Sequence, residues 1–398
     1  MELMKNGLAE PAIRRIASAL SQALATNHRT VAVVTKANKT FSEQSFIKQA
    51  LYSLDTLELK ERVSHIIEII HLFMPNDFVD AVPLLKLLLR HWDYGDKEDP
   101  LRGFAAWPII DYIAVYGINH VEVSLDALQH LTELFSAEFA IRPFIIKYPD
   151  YCHQQFLLWA KSENEHLRRL VSEGTRPRLP WGMQLKTFIK DPRPNIPLLT
   201  LLKDDGSLYV RRSVANHLND MSKDNSEIMI ATCKQWLADL SMKQKSSDKK
   251  YFKEQQDKVD WIIKHASRGL IKAGNKHAFS LLGFTDQPTI KASKLNLSSQ
   301  NIKMNETFTF ELTLSSDADV MQEMVVDYAI HFTKANGKTK LKIFKLKNVK
   351  LNKGEKITLN KNYHFKPITT RKYYSGDHTL DILVNGEVVA SADFELHV

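Results

Sequence analysis

The chain has 398 residues, 44% of them hydrophobic, with 14 Gly and 14 Pro. That is enough apolar material for two or three folded domains, and it excludes a disordered or low-complexity chain. Lys and Arg outnumber Asp and Glu by 54 to 46, a net charge of +8, which permits a polyanionic partner without requiring one. Cys152 and Cys233 are the only cysteines. They form no CxxC pair and have no histidines at zinc spacing, so a reducing compartment without a structural metal is the simplest reading.

The opening MELMKNGLAEPAIRRIASAL has no signal-peptide apolar core. The richest apolar run, Ala81–Trp92, is interrupted by Lys86 and Arg90 and is too short to span a bilayer. Apolar residues recurring at i, i+3 and i+4 predict amphipathic helices over 10–25, 43–53, 57–71, 78–91, 104–117, 124–135 and 138–160. Met74–Asp77 and Asp93–Pro100 read as breaks. Many short helices with short loops predict an α-solenoid rather than a compact bundle. Ser136 can cap a helix beginning at Ala137, which would place Glu138 in its first turn, where an acid complements the helix dipole. Pro143 predicts that this helix is short or kinked.

The next stretch, SENEHLRRLVSEGTRPRLPWG followed by DDGSLYVRRSVANHLND, holds two copies of one helical unit. Leu167-Arg168-Arg169 recurs 43 positions later as Val210-Arg211-Arg212, within the roughly 40–47-residue period of HEAT-type helical pairs. Stacked repeats bring equivalent helix ends to one edge, so Glu173 and Asp220 are predicted to meet beside arginines. Glu173 precedes Gly174, a natural residue for the position after a helix, and an acid there opposes the helix dipole. Ion pairing on a solvated face is the plain alternative. Trp181 reads as the opening of the next helix, as a core residue or staple. Arg176 and Arg178 lie in the connecting loop, either solvated or reaching phosphates. Pro192, Pro194 and Pro197 make a rigid turn. Asp224–Glu227 reads as a capping box, which leaves Asp220 the better functional candidate.

Helices are predicted over 224–240 and 250–273, with Gly274 capping the last of them. The segment 243–276 is strongly basic, as a solvated face or a phosphate-facing stripe. Residues 283–287 resemble a linker. From about residue 289 the period changes from 3.6 to 2. Strands are predicted over Phe308–Leu314, Val325–Phe332, Lys340–Leu346, Ile357–Tyr363 and Thr379–Val384, with hairpin turns at Asn336-Gly337 and Asn385-Gly386. About seven short strands predict an immunoglobulin-like sandwich. Lys338–Lys372 contains Glu355 as its one acid, which suits edge-strand protection or contact with a duplex backbone.

The pair SEGTRPRLPWG and YVRRSVANHLND resembles the signature of the AlkC-type DNA alkylation repair proteins, HEAT-like-repeat DNA glycosylases related to the AlkD type. The resemblance covers the whole chain. It implies a mainly α chain with a HEAT-like solenoid over 1–283, then a small all-β immunoglobulin-like sandwich over 289–398 that helps to grip DNA. It implies that Glu138, within Glu-Phe-Ala-Ile-Arg-Pro, joins Glu173 and Asp220 as a functional acid, and that Trp181 lies against the substrate nucleotide. Arg168, Arg176, Arg178, Arg211 and Arg212 are the candidate DNA contacts. The expected partner is double-stranded DNA carrying alkylated bases. The expected setting is the bacterial cytoplasm and nucleoid, as a monomer with no metal or cofactor. The implied reaction releases cationic bases such as 3-methyladenine and 3-methylcytosine by N-glycosidic hydrolysis, without base flipping and without a lyase step. Two other readings stay open: a non-catalytic DNA-structure binder on the same scaffold, and a protein-binding HEAT scaffold.

Overall fold

A computed structural model of the chain describes residues 4–26, 41–243, 249–368 and 371–398. Residues 244–248 of the basic segment, and 369 and 370 of the lysine-rich one, lie outside the described residues. The chain forms two compact units, Met1–Asn225 with Lys253–Ile262, and Ser226–Phe252 with Ile263–Val398.

The helices are α1 (Glu10–Thr26), α2 (Glu43–Leu51), α3 (Leu59–Leu72), α4 (Phe78–Leu87), α5 (Trp107–Tyr116), α6 (Val121–Leu131), α7 (Ile141–Lys147), α8 (Pro149–Trp159), α9 (Glu165–Gly174), α10 (Lys186–Lys190), α11 (Ile196–Leu202), α12 (Leu208–Met221), α13 (Ser226–Lys243), α14 (Lys249–Ala266), α15 (Arg268–Lys272) and α16 (Lys276–Leu281). In the first unit they form a HEAT-like stack, with α1 on α2, α3 on α5, α4 on α6, and α9 on α12. Its core runs through Ile13, Ile66, Ile110, Phe144, Leu170 and Val214, all fully buried.

Several boundaries differ from the sequence reading, and proline accounts for the clearest. The helix predicted over 138–160 is two helices, because Pro149 has no N–H to donate and forces Tyr148 out of the helical region, to φ −131° and ψ 58°. Ser136 does not cap a helix at Ala137. Residues 137–140 form a turn, and the Ser136 hydroxyl accepts from Arg169 instead. Trp181 opens no helix, since α10 begins at Lys186. Asp224 pairs with Arg178, at 2.6 and 2.8 Å, rather than serving as a plain cap. Gly274, at φ +71°, does close the helix ahead of it, but that helix is not the last, because α16 follows.

The 43-residue repeat is visible in atomic detail. Arg168 Nη1 donates to the carbonyls of Ser162 and Glu163, at 2.8 and 2.9 Å. Arg211 Nη1 donates to those of Asp205 and Gly206, at 2.6 and 3.0 Å. Each acceptor pair stands at the same offset from its arginine, so each arginine stitches its helix to the turn that precedes it. Arg168 also reaches across the repeat to Asp205, at 2.7 and 3.0 Å.

The second unit contains the β domain. Strands β1 (Ile290–Ala292), β2 (Asn296–Leu297), β4 (Thr307–Ser316) and β7 (Lys356–His364) form one sheet. The other runs in the order β3 (Asn301–Lys303), β9 (Glu387–His397), β8 (Gly376–Val384), β5 (Gln322–Thr333) and β6 (Thr339–Leu351). Phe308, Phe310, Leu312 and Leu314 alternate inward from β4 against Met324, Val326, Tyr328 and Ile330 of β5, the two-faced core of an immunoglobulin-like sandwich. The Asn385-Gly386 turn has φ of 46° and 82°, the type I′ geometry expected of that dipeptide. A Cβ on Gly386 would stand 2.3 Å from the Gly274 Cα, so the turn also needs glycine to pack closely. The predicted linker is pinned: Thr285 N–H donates to the Glu323 carbonyl at 2.8 Å, and the Thr285 carbonyl accepts from Asn385 Nδ2 at 2.7 Å.

Arg168→Ala strands the Asp205 carboxylate and two turn carbonyls. We expect it to lower unfolding free energy by about 2–4 kcal/mol, read as a lower urea midpoint at unchanged m-value. Arg168→Lys is expected to recover less than half, because an ammonium cannot reproduce the planar fork.

Candidate active site

The two repeat helices end side by side, and their last turns carry the predicted acids. Arg176 Nη1 donates to Glu173 Oε1 at 2.5 Å, and its Nε donates to Asp220 Oδ2 at 2.8 Å. Ser213 Oγ donates to Glu173 Oε2 at 2.6 Å, and Lys223 Nζ donates to Asp220 Oδ1 at 2.8 Å. Arg169 completes the row. It is ion-paired with Glu138, lies 3.5 Å from Glu173, and has its guanidinium 5.0 Å from the centre of the Tyr209 ring. The result is one row of alternating charge, Glu138–Arg169–Glu173–Arg176–Asp220–Lys223. Glu173 and Asp220 are 4% and 1% exposed, so these pairs lie inside the protein and not on a solvated face.

Burial and charge pull the two glutamates apart. Burial pushes the Glu138 carboxyl up; Arg169 opposes this and the nearby Glu173 adds to it. Burial also works against ionisation of Glu173, but Arg169, Arg176 and the Ser213 hydroxyl together hold its carboxyl below the usual range. Two carboxyls with opposite shifts in one site are the pattern that separates chemical roles. His217 lies behind them, completely buried, which lowers it to about 4 and leaves it neutral at ordinary pH. Its Nδ1 donates to the Ser172 carbonyl at 2.9 Å.

Gly174 is not left-handed. A Cβ there would stand 2.7 Å from Ile141 Cγ2, so glycine is needed for close approach of α9 to α7. That approach lets Arg142, fully buried on α7, donate to the carbonyls of Gly174, Arg176 and Met183 at 2.8, 2.8 and 2.6 Å. Burial, with Arg176 close by, lowers the Arg142 guanidinium to about 10. Trp181 stands on the loop so held, half exposed, at φ +63°, a conformation that costs a non-glycine residue free energy. It borders a cleft of about 250 Å³ shared with Lys60, Trp107, Asp111 and Phe139.

The structure thus brings Glu138, Glu173 and Asp220 into one row, with Trp181 on the loop that leaves α9. The five arginines differ. Arg176 is buried between two acids, Arg168 and Arg211 hold turns, Arg178 pairs with Asp224, and Arg212 is exposed. Sequence reasoning missed Arg142, Ser213, His217 and Lys223. A signal existed for two of them: Ser213 and His217 stand where the first copy has Leu170 and Gly174, polar groups at buried repeat positions. Among the described residues no group of His, Cys, Asp or Glu could hold a metal ion, and no helix is long and apolar enough to cross a membrane.

Asp111 supplies a test of the cleft's electrostatics. Its Oδ2 accepts from the Trp107 indole N–H at 2.8 Å, and its Oδ1 is sealed from solvent without a partner. Burial raises it to about 7, against the pull of the Trp107 hydrogen bond and of Lys60. A carboxyl raised on folding contributes stability that is complete below its unfolded value and is lost as pH rises through about 7. Asp111→Asn is therefore expected to raise unfolding free energy at pH 8 by about 1–4 kcal/mol and to change little at pH 4, as read by urea unfolding at both pH values.

Comparison with known proteins agrees with this architecture. A family model described as the C-terminal Ig-like domain of uncharacterised protein YhaZ matches residues 291–398. The protein YhaZ of Bacillus subtilis (strain 168) is 36% identical over 340 residues, covering 85% of this chain and 88% of that protein. The structure of Pseudomonas fluorescens alkylpurine DNA glycosylase AlkC bound to DNA containing an abasic site analog is similar over 100% of both chains, at 33% identity and a TM-score of 0.83. With this likeness over both its helical stack and its sandwich, the chain belongs to the AlkC-type family, in the subgroup that carries a C-terminal immunoglobulin-like domain.

Proposed function

We propose that the protein is a monofunctional DNA glycosylase. It hydrolyses the N-glycosidic bond of cationic alkylated bases, with 3-methyladenine and 3-methylcytosine as the expected substrates, in the first step of base excision repair in the bacterial cytoplasm. The observation that carries this reading is the row of three acids held in register by Arg169 and Arg176, in a chain similar to a glycosylase bound to DNA. A solenoid over 1–283 would supply the chemistry, with the sandwich over 289–398 adding affinity for the duplex.

A base that already carries a positive charge leaves without protonation by an acid. The protein then has only to stabilise a cationic, oxocarbenium-like sugar and to place a water. A carboxylate about 4 Å from a unit positive charge contributes about 4 kcal/mol at an effective dielectric near 20, on the order of 10³-fold in rate if it acts only in the transition state. The Trp181 face adds cation–π attraction of roughly 0.5–2 kcal/mol. In the free protein every acid of the row is ion-paired, and Asp220 is closed off by Lys223, whose own side chain is half exposed. A DNA phosphate can draw the Lys223 ammonium away and leave Asp220 Oδ1 to orient the attacking water. Of the five candidate arginines, Arg212 and Arg178 have the most exposure with which to meet phosphates. The chemistry asks for neither metal nor cofactor, and no base needs to enter a closed pocket.

The same complete ion pairing favours a second reading, a duplex binder that performs no chemistry. One assay separates the two: release of free base from duplex DNA treated with a methylating agent. Wild type is expected to release 3-methyladenine or 3-methylcytosine but not uracil. Asp220→Asn and Glu173→Gln are expected to lose on the order of 10³-fold in rate with duplex binding kept. Arg212→Ala should weaken all duplexes alike and reduce the salt slope by about one. Salt-sensitive binding by wild type without base release would leave the second reading.

A further inference from the structure

Trp181 is held in an unfavourable backbone conformation, half exposed, at the tip of the loop between α9 and α10. Such a conformation persists only where the surroundings over-determine it. Two cations supply that constraint, and neither has a role in the chemistry above. Arg142 takes the carbonyls at both ends of the loop, Gly174 and Arg176 on one side and Met183 on the other. Leu185 N–H closes its base on the Pro177 carbonyl at 3.1 Å. The tip itself is held from 121 residues away: Lys60 Nζ donates to the Trp181 carbonyl at 2.5 Å.

Lys60 stands where a helix disfavours a cation. It is the second residue of α3, and a cation in the first turn of a helix opposes the dipole. Its aliphatic stem shares a cleft with Trp107, Phe139 and Trp181, and the Asp111 carboxyl lies close enough to attract its ammonium.

We infer that Lys60 and Arg142 are positioning residues that latch Trp181 in place, so that its indole face is set for the substrate before DNA arrives. Arg142 fixes the two ends of the loop, and Lys60 fixes the tryptophan peptide itself. This rests on the glycosylase reading for what Trp181 does, but not for how it is held. Pre-setting an aromatic face in this way avoids ordering it at the moment of reaction, and a reacting group displaced by an ångström can cost on the order of a hundredfold in rate.

The test uses the full chain labelled with 5-fluorotryptophan, with the Trp181 resonance identified by its loss in Trp181→Phe. Lys60→Met changes a surface side chain and leaves the core intact. We expect it to shift and broaden the Trp181 resonance, and to lower kcat for base release by about ten- to a hundredfold with KM unchanged. Lys60→Arg, which keeps a donor on a long stem, should restore most of the rate. In a Trp181→Ala background, Lys60→Met should cost nothing further. An unmoved Trp181 resonance in Lys60→Met overturns the latch, as does an equal fractional loss with and without the tryptophan. Should wild type release no base, the glycosylase reading falls, and the resonance alone decides whether Trp181 is latched.

Discussion

The guanidinium of Arg176 bridges Glu173 and Asp220, and the organisation of the first unit depends on it. Its Nη1 and Nε reach carboxylates at the ends of two different repeat helices, both acids almost fully buried. Bringing these charges out of water is expensive, and the mutual attraction offsets it only because the remaining lone pairs are met by Ser213, Arg169 and Lys223. Removing one partner leaves a bare buried charge, a loss of about 3–5 kcal/mol. A neutral core of the same volume would hold α9 and α12 together as well, so stability alone does not call for a charged row here.

Around that row the structure is graded from rigid to open. Arg142 and His217 are fully buried and bind backbone carbonyls, which fixes the C-terminal end of α9 and the loop that follows it. Glu138 and Arg169 are partly covered. Trp181, Lys223 and Arg212 reach solvent. On the proposed reading a duplex would meet the exposed groups first and draw Lys223 aside, while Glu173 and Asp220 stay positioned by Arg176. Charge held in this way is preorganised, since the two acids themselves need not reorient.

The sandwich follows different physics. Its stability comes from the aromatic and aliphatic residues alternating inward along β4, β5 and β8, while β6, an edge strand, carries exposed lysines at 340, 342, 345, 347 and 350. Inter-strand ion pairs such as Lys350–Glu323 use little of this charge. The lysines therefore keep the edge from pairing with other chains and also present a positive strip to any polyanion.

Much of this was legible in the sequence, and the reasons are physical. The change of period near residue 289 marks the passage from helices to strands, because side-chain periods of 3.6 and 2 follow from backbone geometry alone. The repeat was legible because equivalent positions meet equivalent surroundings: Arg168 and Arg211 make the same two carbonyl contacts. The convergence of Glu173 and Asp220 followed from that repeat, and the choice of Glu138 and Trp181 as candidates from a family resemblance. Other features depended on groups far apart in sequence. Arg142 and Lys60 look like ordinary surface cations until the fold brings backbone carbonyls to within hydrogen-bond distance of them. Gly174 reads as a helix terminator, and only the approach of Ile141 shows that it is a packing residue. The sequence by itself determined the elements, the repeat and the chemical types present, because those depend on local propensity and periodicity. Only the tertiary structure decided which acid pairs with which cation and which are buried, because those energies depend on distances between residues that the chain order does not contain.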